Sequence, residues 1–150
     1  MLKTERMDRV RAALRAQGLT QMIVCDPKSV WYLTGVAVEP YERLLSLYLP
    51  DRGRAGAVLN RLFNVPEPPC RTVWHTDTDK PVAQIAEVVD AGKLLGIDKE
   101  WPAKFLIPLM ETHPRYAGRA VQRLRGRLPR LQGRRGADPH ARGVPASTTR

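Results

Sequence analysis

The chain has 150 residues, a formal net charge of +10 and 43% hydrophobic residues. That length suits one domain with a buried core, and no apolar run approaches the ~18 residues of a membrane span. Leu2-Lys3-Thr4-Glu5-Arg6 carries charge with no apolar stretch behind it, so a secretory signal is not expected. The charge is also unevenly placed. Residues 1–114 hold 15 Lys+Arg against 14 Asp+Glu, whereas residues 115–150 hold 10 Arg and a single acid, Asp138. The high pI therefore says nothing about the first three-quarters of the chain.

In chain order, residues 2–17 read as an amphipathic helix. Met7, Val10, Ala13 and Leu14 recur at spacings of three and four, with Arg6, Arg9, Arg11 and Arg15 mostly elsewhere. Thr4 is the expected N-cap and Gly18 the C-cap. With Glu5 and Asp8 among them, the arginines read as a solvated face. Residues 21–25 are a buried strand. The phrase Asp26-Pro27-Lys28-Ser29-Val30-Trp31-Tyr32-Leu33-Thr34-Gly35 follows as a short helix, with Pro27 in its first turn and Gly35 at its end. Trp31 and Tyr32 are expected to pack, because the polar groups of a ligand site are missing around them.

Residues 44–49 and 55–60 form a strand pair, closed by the turn Pro50-Asp51-Arg52-Gly53. Arg61-Leu62-Phe63 is expected to bend into a short helix, and Val65-Pro66-Glu67-Pro68-Pro69 to be an extended loop. Residues 71–75 are a strand. Asp79 or Thr78 then caps a helix with Pro81 in its first turn, marked by Val82, Ile85, Ala86 and Val89 and stopped at Gly92. Residues 93–98 are a strand. Residues 102–110 are a last helix, which Pro108 limits or kinks. Helices between hydrophobic strands indicate an α/β fold, a mixed β-sheet flanked by helices.

After residue 114 the composition turns to Arg, Gly, Pro, Ala and Ser. The organisation is therefore a domain over 1–114 and an Arg-rich tail over 115–150. The tail is expected to be disordered, with at most a transient basic helix over 120–131.

Candidate chemistry is sparse. His75, Asp77 and Asp79 have the H-x-D-x-D spacing of a divalent-metal site, but at a strand end leading into a helix the aspartates read more simply as caps. His113 and His140 have no companions. Cys25 and Cys70 show neither metal spacing nor a disulfide framework, which suits reduced thiols in a cytoplasmic protein. No G-x-G-x-x-G, P-loop, H-E-x-x-H or G-x-S-x-G occurs. No catalytic, cofactor-binding or metal-binding residue is assigned. Arginines of the tail could neutralise phosphates, although the interleaved aromatics of a single-strand binder are missing. A stand-alone self-associating module with a nucleic-acid-binding tail is thus the alternative reading.

Four phrases, in order over residues 5–112, carry a resemblance. They are Gly18-Leu19 with Asp26 through Thr34-Gly35, then Glu42-Arg43-Leu44-Leu45, then Trp74-His75-Thr76-Asp77-Thr78-Asp79-Lys80-Pro81, and Leu95-Gly96-Ile97-Asp98. Together they resemble the N-terminal domain of the creatinase/prolidase/aminopeptidase P family. The resemblance implies a ribonuclease H-like α/β layer fold without catalytic groups. In that family the Xaa-Pro metallopeptidases bind two divalent metal ions, of the Mn, Co or Zn type, in a separate catalytic domain. This chain is too short to hold that domain, so no metal ligand is carried over and the chain alone is expected to be inactive. The implied role is dimer contacts and control of access to an active site, partly that of a neighbouring subunit. The loop expected to supply it runs over 35–43 and includes Gly35, Val36, Glu39, Tyr41, Glu42 and Arg43. The implied partners are a second copy or the missing catalytic domain, with an Xaa-Pro peptide as substrate of the full-length protein only. The Arg-rich tail departs from the family pattern, either as a native extension or through a frameshift near 112–125.

Overall fold

The structure, a computed structural model, describes residues 2–112 and 119–120. Its first element, α1 (Thr4–Ala16), buries Met7, Val10 and Leu14 as the periodicity requires. Thr4 is not the cap. The helix begins one residue early, so Lys3 occupies the N-cap position; its side chain has no acceptor to offer a helix amide, and its own amide is held by the Leu33 carbonyl. Gly18 does terminate the helix. At φ +70° its amide reaches the Arg15 carbonyl while the Leu19 amide reaches that of Leu14, which satisfies two orphan carbonyls.

The arginines of α1 are not simply a solvated face. Arg6 donates to the Tyr32 carbonyl at 2.8 Å and lies 4.3 Å over the Tyr32 ring. Arg11 donates to the carbonyls of Pro50 and Gly53, and Arg15 to that of Asp51. A carbonyl-rich turn within reach of the helix turns these cations into ties.

Next come β1 (Gln21–Val24), α2 (Pro27–Thr34), β2 (Leu45–Pro50) and β3 (Gly56–Asn60). The strands pair antiparallel, with Ile23 opposite Tyr48 and Ser46 opposite Val58, so the expected hairpin is present. Arg61-Leu62-Phe63 is a turn rather than a helix. The Asn60 side chain accepts the Leu62 amide and the Asn60 carbonyl that of Phe63, which closes the chain on itself. β4 (Arg71–His75) then pairs parallel to β3, and α3 (Pro81–Val88) carries the chain to β5 (Gly96–Ile97), parallel to β1 on the other side. β5 is shorter than the expected 93–98, since the Lys93 amide turns back to the Asp90 carbonyl. α4 (Ala103–Thr112) continues past Pro108, and β6 (Arg119–Ala120) pairs with β5 inside the segment assigned by composition to the tail. Beyond Ala120 the expected basic helix lies outside the described residues.

The sheet order is β4-β3-β2-β1-β5-β6. Alternation along the strands divides the core in two. Met22, Val24, Leu45, Leu47, Ala57 and Leu59 face α1 and α2, while Ile23, Cys25, Val58 and Ile97 face α3 and α4. A mixed sheet covered on both faces by helices is the α/β architecture expected from the sequence, and it explains why β1 and β3 are buried along their whole length.

Candidate functional site

The pairing directions bring the carboxyl ends of β1, β3, β4 and β5 to one edge of the sheet, together with the start of β2. Open α/β sheets place their ligand crevices at this edge. Here it carries the start of α2, the loop 35–43 and the polar residues Asn60, His75, Asp77 and Asp98.

α2 is set by both ends. Asp26 Oδ2 accepts the Ser29 amide at 3.0 Å and the Ser29 hydroxyl at 2.7 Å, Pro27 fills the first turn, and Gly35 closes the helix at φ +78° with its amide on the Trp31 carbonyl. Asp98 Oδ2 accepts the Asp26 amide at 3.1 Å, which fixes where the helix leaves β1. The phrase Gly96-Ile97-Asp98 therefore has a physical role in placing the phrase that begins at Asp26. Of the two aromatics expected to pack, Tyr32 is buried, but Trp31 is 45% exposed. Helical phase turns neighbouring side chains about 100° apart, and Trp31 falls on the outer face of α2 while Val30, Tyr32, Leu33 and Thr34 are buried.

Three of the six loop residues line two depressions. Glu39 lines one of about 370 Å³ with Pro27, Lys28, Trp31, Ala37 and Val38. Glu42 and Arg43 line one of about 360 Å³ with Leu44, Phe105 and the 75–81 segment, His75 and Asp77 included. Gly35 is the cap of α2, and Val36 packs partly against the core with its amide on the Thr34 hydroxyl. Tyr41 stands at the tip, 80% exposed, with φ +50°. The turn beneath it is closed by the Arg43 amide on the Pro40 carbonyl, and Lys104 Nζ donates to the Glu42 carbonyl.

Arg43 donates from Nε and Nη2 to the two carboxylate oxygens of Asp77, each at 2.8 Å, and Asn60 Nδ2 adds a third bond of 2.8 Å to Asp77 Oδ1. The Arg43 hydrogen bonds, then that of Asn60, hold the Asp77 carboxyl below the usual carboxylate range. Asp79 is lowered chiefly by the Thr76 amide, which it accepts at 2.6 Å. That bond corrects the expected cap: Lys80 is the N-cap of α3 and makes no side-chain bond, and Asp79 and the Thr78 hydroxyl serve Thr76 instead.

The same partners bear on the H-x-D-x-D cluster. The buried His75 has Nε2 3.3 Å from the Leu44 carbonyl and Nδ1 3.2 Å from the Thr76 carbonyl and 3.4 Å from Asn60 Nδ2, so both ring nitrogens already have protein partners. Asp77 is committed to Arg43 and Asp79 to Thr76. The donor set does not fit a divalent cation, and among the described residues no group of three or more His, Cys, Asp or Glu could hold one. Burial raises both thiols, Cys70 to about 11, and the two cysteines are free. Asn60 was missed in the sequence because it belongs to no spaced motif, and Asp98 was read only as the end of the phrase Leu95-Gly96-Ile97-Asp98. Their partners are 17 and 72 residues away.

Fold and site thus define a helix-covered, mixed-sheet α/β domain whose carboxyl edge is occupied by internal hydrogen bonds. A family model, the creatinase/prolidase N-terminal domain, matches residues 6–125, and the chain belongs to that family. Solved structures agree. A proline dipeptidase from Streptococcus agalactiae 2603V is 17% identical, with a TM-score of 0.70 over 83% of this chain and 98% of that one. The creatinase/prolidase N-terminal domain of an X-Pro dipeptidase from Streptococcus pyogenes is 21% identical, with a TM-score of 0.63 over 71% and 86%. A prolidase from Thermococcus sibiricus is 24% identical, with a TM-score of 0.69 over 81% of this chain but only 35% of its own length. At these identities the likeness is one of fold. No curated protein matches the chain.

Proposed function

We propose that the chain acts as the non-catalytic N-terminal domain of an Xaa-Pro dipeptidase-like metallohydrolase, in the cytoplasm, where its loop 35–43 contacts a catalytic domain or a second subunit and shapes access to the active site. The observation that carries this reading is the family match over residues 6–125, joined to a carboxyl edge where Asp77 and Asn60 hold the second stem of the loop through Arg43. Prolidases that are about three times as long as the matched region support it, since they have room for a second domain. Any pair of Mn, Co or Zn ions belongs to that other domain, because the carboxylates here are committed elsewhere.

The purified 150-residue chain is expected to leave Xaa-Pro dipeptides intact with Mn²⁺, Co²⁺ or Zn²⁺ added, while Tyr41→Ala weakens its capture by a family catalytic domain. Metal-dependent turnover by the chain alone would refute the reading, and so would capture that is indifferent to Tyr41.

A further inference from the structure

Loop 35–43 is anchored by different means at its two stems. Bonds to the last turn of α2 hold the first: the Gly35 amide bonds the Trp31 carbonyl at 2.7 Å and the Val36 amide the Thr34 hydroxyl at 3.1 Å. Side chains from β3 and the turn after β4 hold the second, through the two 2.8 Å bonds from Arg43 to Asp77 and the third from Asn60. Arg43 also closes the Pro40–Arg43 turn with its amide. That turn keeps Tyr41 at φ +50°, which a side chain with a Cβ resists, so the conformation needs surroundings that over-determine it. One residue therefore closes the strained turn and carries the clasp.

We propose that Arg43 and Asp77, braced by Asn60, are positioning residues that lock the Pro40–Arg43 turn and so present Tyr41 outward to the partner surface. The proposal rests on the reading of loop 35–43 as a contact surface. Its mechanism lies in the two-point fork. A bidentate guanidinium–carboxylate pair sets orientation as well as distance, and the third bond from Asn60 keeps the carboxylate from rotating. Because the pair is open to solvent, salt loosens it while leaving the core intact. Presentation of the loop is thus separable from folding.

The test uses the full chain and chymotrypsin, reading the initial rate of cleavage after Tyr41 by mass alongside thermal melting. Arg43→Ala and Asp77→Ala are each expected to raise that rate roughly two- to five-fold, with the melting midpoint held. The exchanged pair R43D/D77R is expected to bring it back toward wild type, and Arg43→Lys to fall between. Equal rates in all variants overturn the proposal, as does an exchanged pair that restores nothing. If a variant also melts early, amide exchange decides: acceleration confined to residues 36–45 supports the clasp, and uniform acceleration including α1 overturns it. Binding to a catalytic domain is not read in this experiment, so a failed clasp leaves the proposed function standing. A clasp that loosens as expected without altering capture counts against the proposed function alone.

Discussion

Gln21 belongs to no motif, yet it is 1% exposed and uses its whole amide. Nε2 donates to the Asp90 and Lys93 carbonyls, and Oε1 accepts the Asp90 amide and the Tyr48 hydroxyl. A buried amide with all four bonds made is stabilising, whereas its partners left bare cost their desolvation. Gln21→Met keeps the volume and strips those partners. It is expected to lower stability by about 2 kcal/mol in urea unfolding, and an unchanged midpoint would show that the 90–93 turn is held otherwise. This residue was illegible in the sequence, because its four partners lie 27 to 72 residues away. Tyr48 and the Asp90 turn meet it only once β1 lies between β2 and β5. Met7, Val10 and Leu14 could be read in advance because the helix repeats their environment at fixed spacing.

At the scale of elements, α2 shows what local chemistry can settle. Eight residues are too few for a helix to stand on its own. The ends supply what length does not: an Asp26 carboxylate on the Ser29 amide, a proline that needs no amide partner, and a glycine at positive φ. Asp26→Ala is expected to cost about 1 kcal/mol by chemical denaturation, with the loss seen in amide exchange of residues 27–34 before that of α1. Comparable exchange in both helices would argue against the cap. Pro27 and Gly35 were readable because each acts on its own backbone. The start of α3 was not, since Asp79 satisfies Thr76 in preference to the helix and the two outcomes share one sequence. The parallel pairing of β4 was equally hidden, because nothing within residues 71–75 records which neighbour they will meet.

For the whole molecule, pH acts through exposed carboxylates and buried thiols. The Arg43 bond lowers Asp77, the Thr76 amide lowers Asp79 and the Gly92 amide lowers Asp90. A depressed folded value favours the ionised group, so their contribution is present above the ordinary carboxylate value of about 4 and is lost as pH falls through the lowered values. The thiols run the other way. Cys70 at about 11 keeps its proton in the folded state, and the stability this gives is lost as pH rises from the free-thiol value of about 8.5. Urea midpoints are therefore expected to form a plateau between about pH 4 and 8.5 and to decline on both sides. A midpoint at pH 3 equal to that at pH 7 would mean that the three carboxylates do nothing for the fold.

What the sequence determined by itself was the α/β class, most of the element order and the family, because each rests on information carried within a few residues: helical periodicity, strand-like apolar runs, a proline before and a glycine after. The tertiary structure alone decided that Arg43 meets Asp77 across 34 residues, that the arginines of α1 tie down a turn, and that Trp31 is left to solvent while Tyr32 is buried. Those outcomes depend on which strand lies beside which, and pairing between distant segments is a property of the assembled sheet rather than of any stretch of chain within it.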